Sequence, residues 1–337
     1  MISKFRIGVL VIILNFFASV ATTWGQVENP SLLQMAVPSL NIAPDARGGG
    51  MGDMGAATLP DINSQYWNAA KYAFMGSKAG VSLSYTPWLR KLVNDVALVN
   101  MTGYYKLGNS DLQAISASLR YFSLGEVNIW ENIGDVPYGL NPYEMAFDVA
   151  YSRKLSESYS MAVTLRYIRS DDGGNTNQYL PAKLTLGTGL LYPIDDYNQI
   201  GVYLDLNKYM VPYAPQKEEG ETDADYQTRV DDYKSWSSLS GMLKSFTDSP
   251  NGLLKEIMVS VGAEYSYNQQ FFVRGGYFYE NANVGNRKYF SVGAGFRMSV
   301  FQLDAAYLVS TVPQNPLDQT LRFSLSFDMD GIKNLFR

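Results

Sequence analysis

Neither cysteine nor histidine occurs anywhere in the 337 residues, and only 18% of them are charged. Without cysteine there is no disulfide framework, thiol nucleophile or thiolate metal site. Without histidine the usual general base is missing, so no Ser-His-Asp triad exists and no familiar serine hydrolase fits. A Ser-Lys pair stays formally open, but no motif selects one; the chain is not expected to be an enzyme or to hold a metal or cofactor. No basic surplus points to nucleic acid: the formal charge of −5 becomes −7 once a leader carrying Lys4 and Arg6 is removed. Past residue 25 no stretch approaches 18 uninterrupted apolar residues, which leaves no membrane-crossing helix.

Aromatic residues are plentiful: 25 Tyr, 16 Phe and 5 Trp. Residues 1–25 read as a secretory signal, with Lys4 and Arg6 ahead of a mostly apolar run of about 14 residues, Ile7 to Val20, and small residues after it. A signal anchor is the alternative, although that run falls short of the ~20 residues a spanning helix needs. An exported chain without a membrane helix is either soluble or a β-barrel.

From residue 79 onward the pattern has period two. Tyr159, Met161, Val163, Leu165 and Tyr167 share one strand face, and Leu321, Phe323, Leu325 and Phe327 alternate with Arg322, Ser324, Ser326 and Asp328. Twelve strands are legible, at 79–88, 95–106, 111–123, 142–154, 158–169, 180–193, 198–210, 254–267, 271–280, 288–298, 301–310 and 319–328. Many exceed the ordinary length of about 5–6 residues and match the ~9–11 of a membrane-crossing strand. Tyr and Phe cluster toward their ends, as in Tyr104-Tyr105, Tyr121-Phe122 and Phe271-Phe272.

The connections separate a barrel from a sandwich. Every second one is short, around Gly108-Asn109, Ser156-Glu157, Asp195-Asp196, Asn268-Gln269 and Ser299. The others, 89–94, 124–141, 170–179, 211–253, 281–287 and 311–318, are mostly longer. Up-and-down topology puts all short turns on one side and all long loops on the other, the asymmetry of outer-membrane barrels. A sandwich has no reason to sort its loops by parity. The expected class is therefore all-β, a transmembrane up-and-down antiparallel barrel. Residues 26–78 lack strand pattern and are too long for a casual connector, so they are expected inside the barrel as a plug. The organisation reads as a leader over 1–25, a hatch over 26–78 and a barrel over 79–337 with a long external loop at 211–253.

Several local patterns have bland readings. The glycine run 48–55 lacks the Gly-Lys-Ser/Thr ending and preceding strand of a phosphate loop, so tight packing explains it. Asp171-Asp172-Gly173-Gly174-Asn175-Thr176-Asn177 lacks the spacing and final Glu of a calcium loop and reads as a solvated hairpin tip. In loop 211–253 the stretch Lys217 to Asp232 is acidic and should be solvated. Beyond it, Trp236, Leu239, Met242, Leu243 and Phe246 fall on one face of a short amphipathic helix, stopped by Pro250 and Gly252. That face either lids this barrel's own rim or docks another protein, because large apolar side chains on an external loop have to be covered.

Asn41-Ile42-Ala43-Pro44-Asp45-Ala46-Arg47-Gly48-Gly49-Gly50-Met51-Gly52-Asp53-Met54-Gly55-Ala56-Ala57-Thr58 and Tyr66-Trp67-Asn68-Ala69-Ala70-Lys71 resemble the N-terminal hatch of FadL-like outer-membrane barrels. Asn68-Ala69-Ala70 stands where that family has Asn-Pro-Ala. Within it, Gly80-Val81-Ser82-Leu83-Ser84-Tyr85-Thr86-Pro87-Trp88-Leu89, Ile115 to Glu126 and Leu321 to Gly331 look like the PorV group of type IX secretion proteins. The resemblance implies about fourteen strands, the missing pair lying within 124–141 or near the hatch, and a plug that includes Arg47, Gly48, Gly49, Gly50, Gly52, Asp53, Gly55, Trp67 and Asn68. It also implies a non-enzymatic role. The protein would bind the C-terminal signal domain of cargo, take it from the translocon barrel and deliver it to a cell-surface sortase or attachment complex. Candidate partner-binding residues are Trp236, Leu239, Met242, Leu243 and Phe246, with Trp88 and Leu89 on the first external loop. The alternative, a FadL-like uptake channel for hydrophobic small molecules, requires an apolar interior. Inward Ser260, Glu264, Arg274, Arg322 and Ser324 lean against it, with Phe272 and Phe278 as exceptions.

Overall fold

A computed structural model describes residues 35–88, 95–108, 111–129, 136, 138–171, 180–218, 220–250, 252–312 and 317–331. The expected leader, Leu89 and the loop residues Asp172 to Asn177 lie outside the described residues.

Among the described residues fourteen strands occur in chain order. They are β1 (Ala79–Pro87), β2 (Ala97–Leu107), β3 (Gln113–Ser123), β4 (Val127–Ile129), β5 (Tyr138–Leu140), β6 (Tyr143–Ser156) and β7 (Tyr159–Asp171). Then follow β8 (Lys183–Pro193), β9 (Asn198–Tyr209), β10 (Met258–Tyr267), β11 (Phe271–Tyr279), β12 (Lys288–Arg297), β13 (Phe301–Ser310) and β14 (Leu321–Asp328). Twelve of them make one antiparallel sheet, ordered β7-β6-β3-β2-β1-β14-β13-β12-β11-β10-β9-β8. The first strand pairs with the last: Leu83 faces Leu325, and Ser84 faces Ser324 with their hydroxyls 2.8 Å apart.

Two expectations are corrected. The fourteen-strand wall is a twelve-stranded one, because β4 and β5 form a separate two-stranded ribbon. At three residues each, about 10 Å of strand, they are far too short for a hydrocarbon core of about 30 Å. The sheet also stays unclosed between β7 and β8. Different parts of the hatch hold these two strands. Ser160 of β7 donates to the Ala70 carbonyl (2.8 Å), while β8 brings Gly187 and Gly189 against Ala56 and Ala57.

The two faces of the sheet are inverted relative to a soluble protein. Leu83, Met101, Val163, Leu165, Leu190 and Val292 are exposed, whereas Ser82, Ser84, Thr86, Asn100, Thr102 and Arg322 are buried. Val163 is 63% exposed and Arg322 only 2%. The wall is therefore apolar outward and polar inward, which suits lipid outside and a filled lumen inside. Tyr85, Tyr121, Tyr167, Tyr279 and Phe290 lie toward the long-loop ends of their strands, and Tyr105, Tyr151, Tyr192, Tyr267 and Phe271 toward the short-turn ends. Two aromatic girdles with aliphatic residues between them are the mark of a membrane belt. Among the described residues no helix is long and apolar enough to cross a membrane.

Candidate functional site

Residues 35–78 lie against the inward faces of the wall. They have little regular structure: the turn of helix Ala46–Gly49, the short helix Ser64–Trp67 and two 3-10 segments, Pro38–Asn41 and Ala69–Phe74. Asp45 caps the first turn, accepting from the Gly48 amide (2.7 Å) and from the Trp67 indole (2.7 Å). A Cβ at Gly48 would sit 2.5 Å from the benzo part of the Trp67 ring, and one at Gly55 would strike its pyrrole part, so the indole requires both glycines. Gly52 has φ +81, and a Cβ there would also be 2.8 Å from the Tyr277 carbonyl oxygen. Gly50 lies backbone-to-backbone on Gly293 of β12, and Gly49 under Arg322 of β14. Where the FadL-like pattern has proline, Asn68 makes the turn by capping, its side-chain oxygen accepting from the Ala70 amide (3.2 Å).

Hydrogen bonds to the wall run around the sheet. Ser324 accepts from the Ala46 amide (2.8 Å), Ser291 from that of Gly52 (2.7 Å), and Asp205 from those of Gly55 and Ala56 (3.0 Å each). Arg120 donates to the carbonyls of Ser39 and Ile42 (2.7 and 2.9 Å). Charge is paired just as closely. Arg47 grips Glu264 through two nitrogens (3.0 and 2.9 Å) and Asp61 through a third (2.7 Å). Arg274 joins Glu264 to Asp304, both at 2.6 Å, and Arg322 pairs with Asp53. A buried cation without such a partner is costly.

Within the hatch, burial and then the nearby Asp61 raise the Asp45 carboxyl to about 6. Burial would raise Asp61 as well, but Arg47 and Lys71 outweigh it and hold that carboxyl below its usual range. Lys71 is pushed down to about 8, chiefly by burial, although its ammonium donates to the Gly55 carbonyl and the Thr58 hydroxyl (2.8 and 3.0 Å).

At the long-loop end an apolar belt includes Trp88, Leu98, Phe122, Phe278, Tyr289 and Leu308, with Met35 and Ile42 of the hatch packed on it. Inward Phe272 and Phe278 are both buried. Trp88 is turned into the belt, edge-on to Phe122 at 6.2 Å, which removes it from any docking surface in this arrangement.

The acidic half of loop 211–253 is ordered as a helix, Asp223–Ser235, a feature the charge density of the sequence hid. Thr222 caps it and Asp223 and Asp225 occupy its first turn, both favourable at the positive end of the helix dipole. A second helix, Ser238–Thr247, starts after Trp236, capped by Ser237. Trp236 therefore sits at the junction: edge-on to Tyr233, under the Lys244 ammonium (3.4 Å) and bonded to Asp232 (3.2 Å). The second helix buries Gly241 and Ser245 and leaves Leu239 and Leu243 about two-thirds exposed, at 67% and 65%. Phe246 is partly covered by Lys208, and Met242 is half-buried. At the base of the loop the buried pair Lys208–Glu256 (2.7 Å) fixes it to the rim.

Residues 26–173 match the family model described as type IX secretion system protein PorV. That stretch of the chain is similar to the PorV family. The protein is an outer-membrane β-barrel. No curated protein matches it in sequence. Among solved structures it is similar to the toluene transporter TbuX of Ralstonia pickettii, at 11% identity over 86% of this chain and 98% of that one, with a TM-score of 0.39. It is also similar to the CymD monoaromatic hydrocarbon channel (10% identity, 85% and 97% covered, TM-score 0.41). A FadL homologue of Pseudomonas aeruginosa shows 12% identity, 85% and 98% coverage and a TM-score of 0.36.

Proposed function

We propose that this barrel is a PorV-like, non-enzymatic carrier in type IX secretion. Its long external loop binds the C-terminal signal domain of cargo. The protein takes that cargo from the translocon barrel and delivers it to a cell-surface sortase or attachment complex. The observation that carries the reading is the orientation of helix Ser238–Thr247. A lid would turn Leu239, Leu243 and Phe246 onto its own rim, yet the helix buries its small residues and presents Leu239 and Leu243 outward. Such a stripe, spaced i, i+4, i+7 on a loop anchored to a rigid wall, has the form of a helix-in-groove anchor. Residues 35–78, with their ring of bonds to the wall, serve in this reading as a plug that leaves transport to the outer surface.

Substituting glutamate for Leu243 and Phe246 together should abolish co-purification of cargo or translocon in mild detergent. The barrel should keep its heat-shifted mobility on denaturing gels. Undiminished co-purification would sink the docking assignment. The uptake-channel reading has the apolar belt in its favour, but that belt is packed. The cavity among Tyr209, Met258, Phe278 and Tyr289 measures about 20 Å³, room for about one water molecule.

A further inference from the structure

At the short-turn mouth, opposite the docking loop, hatch and wall enclose a cavity of about 420 Å³, within the range typical of small-molecule sites. We propose that this cavity binds a zwitterionic ligand, an apolar amino acid or short peptide, through Arg297 and Asp328.

Arg297, the last residue of β12, lines the cavity. Its Nε donates to the Gln302 side-chain oxygen (2.7 Å), and its guanidinium lies 5.1 Å from the Phe272 ring centre. Among the described residues, its two terminal nitrogens have no hydrogen-bond partner and no carboxylate lies within ion-pair distance. The neighbouring arginines differ in this respect. Arg47 holds Asp61 at 2.7 Å and Arg274 holds Asp304 at 2.6 Å, so the two acids that also line the cavity are already neutralised. A planar guanidinium with its fork free is the preferred receptor for a carboxylate.

Asp328, where β14 ends, lines the same cavity. Its Oδ1 accepts from the backbone amides of Asp330 (2.9 Å) and Gly331 (3.4 Å), and among the described residues its other oxygen accepts no bond. One free cation and one free carboxylate oxygen on a shared cavity call for a ligand carrying both signs. Leu59, Ile62, Met75 and Phe301 give the walls an apolar surface for its side chain. A fatty acid would satisfy Arg297 but leave Asp328 without a partner, and an amine the reverse.

The test measures binding of the dipeptide Leu-Leu to the full detergent-solubilised protein by calorimetry at millimolar ligand. N-acetylated Leu-Leu, Leu-Leu amide, free leucine and octanoate serve as comparisons. Blocking either end should weaken binding about tenfold or more, the scale of losing one charge-assisted bond. Arg297→Gln should remove the advantage of the free carboxylate while keeping that of the free amine, and Asp328→Asn should do the opposite. Heat-shifted gel mobility confirms that each variant is a folded barrel. Tighter binding of leucine than of the dipeptide would assign the site to free amino acids. Octanoate binding as well as the dipeptide, no dipeptide binding, or two variants that leave the end-group preferences unchanged would overturn the proposal. None of these outcomes bears on cargo docking, which takes place at the opposite end of the barrel.

Discussion

Glu264 shows what a single residue contributes here. It is buried between Arg47 of the hatch and Arg274 of the wall, so its one negative charge serves two cations. Replacing it with glutamine leaves Arg47 with Asp61 alone and Arg274 with Asp304 alone. The expected loss is about 1.5–3 kcal/mol in a denaturant titration, the usual worth of hydrogen bonds to a charged group. Asp45 and Lys71 make a different prediction, because each is held away from its ordinary protonation range. Asp45 titrates near 6 instead of 3.8, so between those values the folded hatch keeps a proton that the unfolded chain has lost. Its contribution to stability is complete at the acid end and is lost as the pH rises through about 6. Lys71 titrates near 8 instead of 10.5, so stability is regained as the pH climbs from about 8 toward 10.5. Hatch stability should therefore be lowest between about pH 6 and 8. Hydrogen exchange over residues 45–58, corrected for intrinsic rates, measures it, and Asp45→Asn should flatten the acid side of the trough. A profile unchanged by that substitution would contradict the assignment to Asp45.

At the scale of elements, the seam between β7 and β8 and the second loop helix depart most from what period-two patterning foretells. Both strands have full-length alternation, yet each keeps one edge unpaired. Exposed edges are costly in lipid, where water cannot satisfy the free backbone groups. In detergent, amides on the free edges of β7 and β8 should exchange well before those of β1 and β14, whose ladder is intact. Equal protection would mean that the seam is closed in solution. The helix pattern at 239–246 was readable from spacing alone. Its outward orientation was not, since a lid and a docking face demand the same apolar stripe. The structure buries Gly241 and Ser245 and leaves Leu239 and Leu243 exposed, so the apolar stripe faces outward.

For the barrel as a whole, the decisive fact is the inverted placement of polarity, with aliphatic residues outward and serines, threonines and ion pairs inward. The protein should fractionate with the outer membrane, leave it only in detergent, and run faster on denaturing gels before boiling than after. A detergent-free monomer would refute that architecture. The sequence by itself determined the twelve long strands, their parity-sorted connections and which face of each is apolar, because strand periodicity and turn chemistry are local properties. It also marked the glycines of 48–55 as a packing segment. Tertiary structure alone decided that Gly48 and Gly55 both pack on Trp67, that Arg47 and Arg274 share Glu264, that β4 and β5 stand apart from the wall, and that Arg297 is left without a carboxylate. Each of these depends on which side chains meet across long stretches of chain, and alternation within a strand carries no information about its partner on the far side of the lumen.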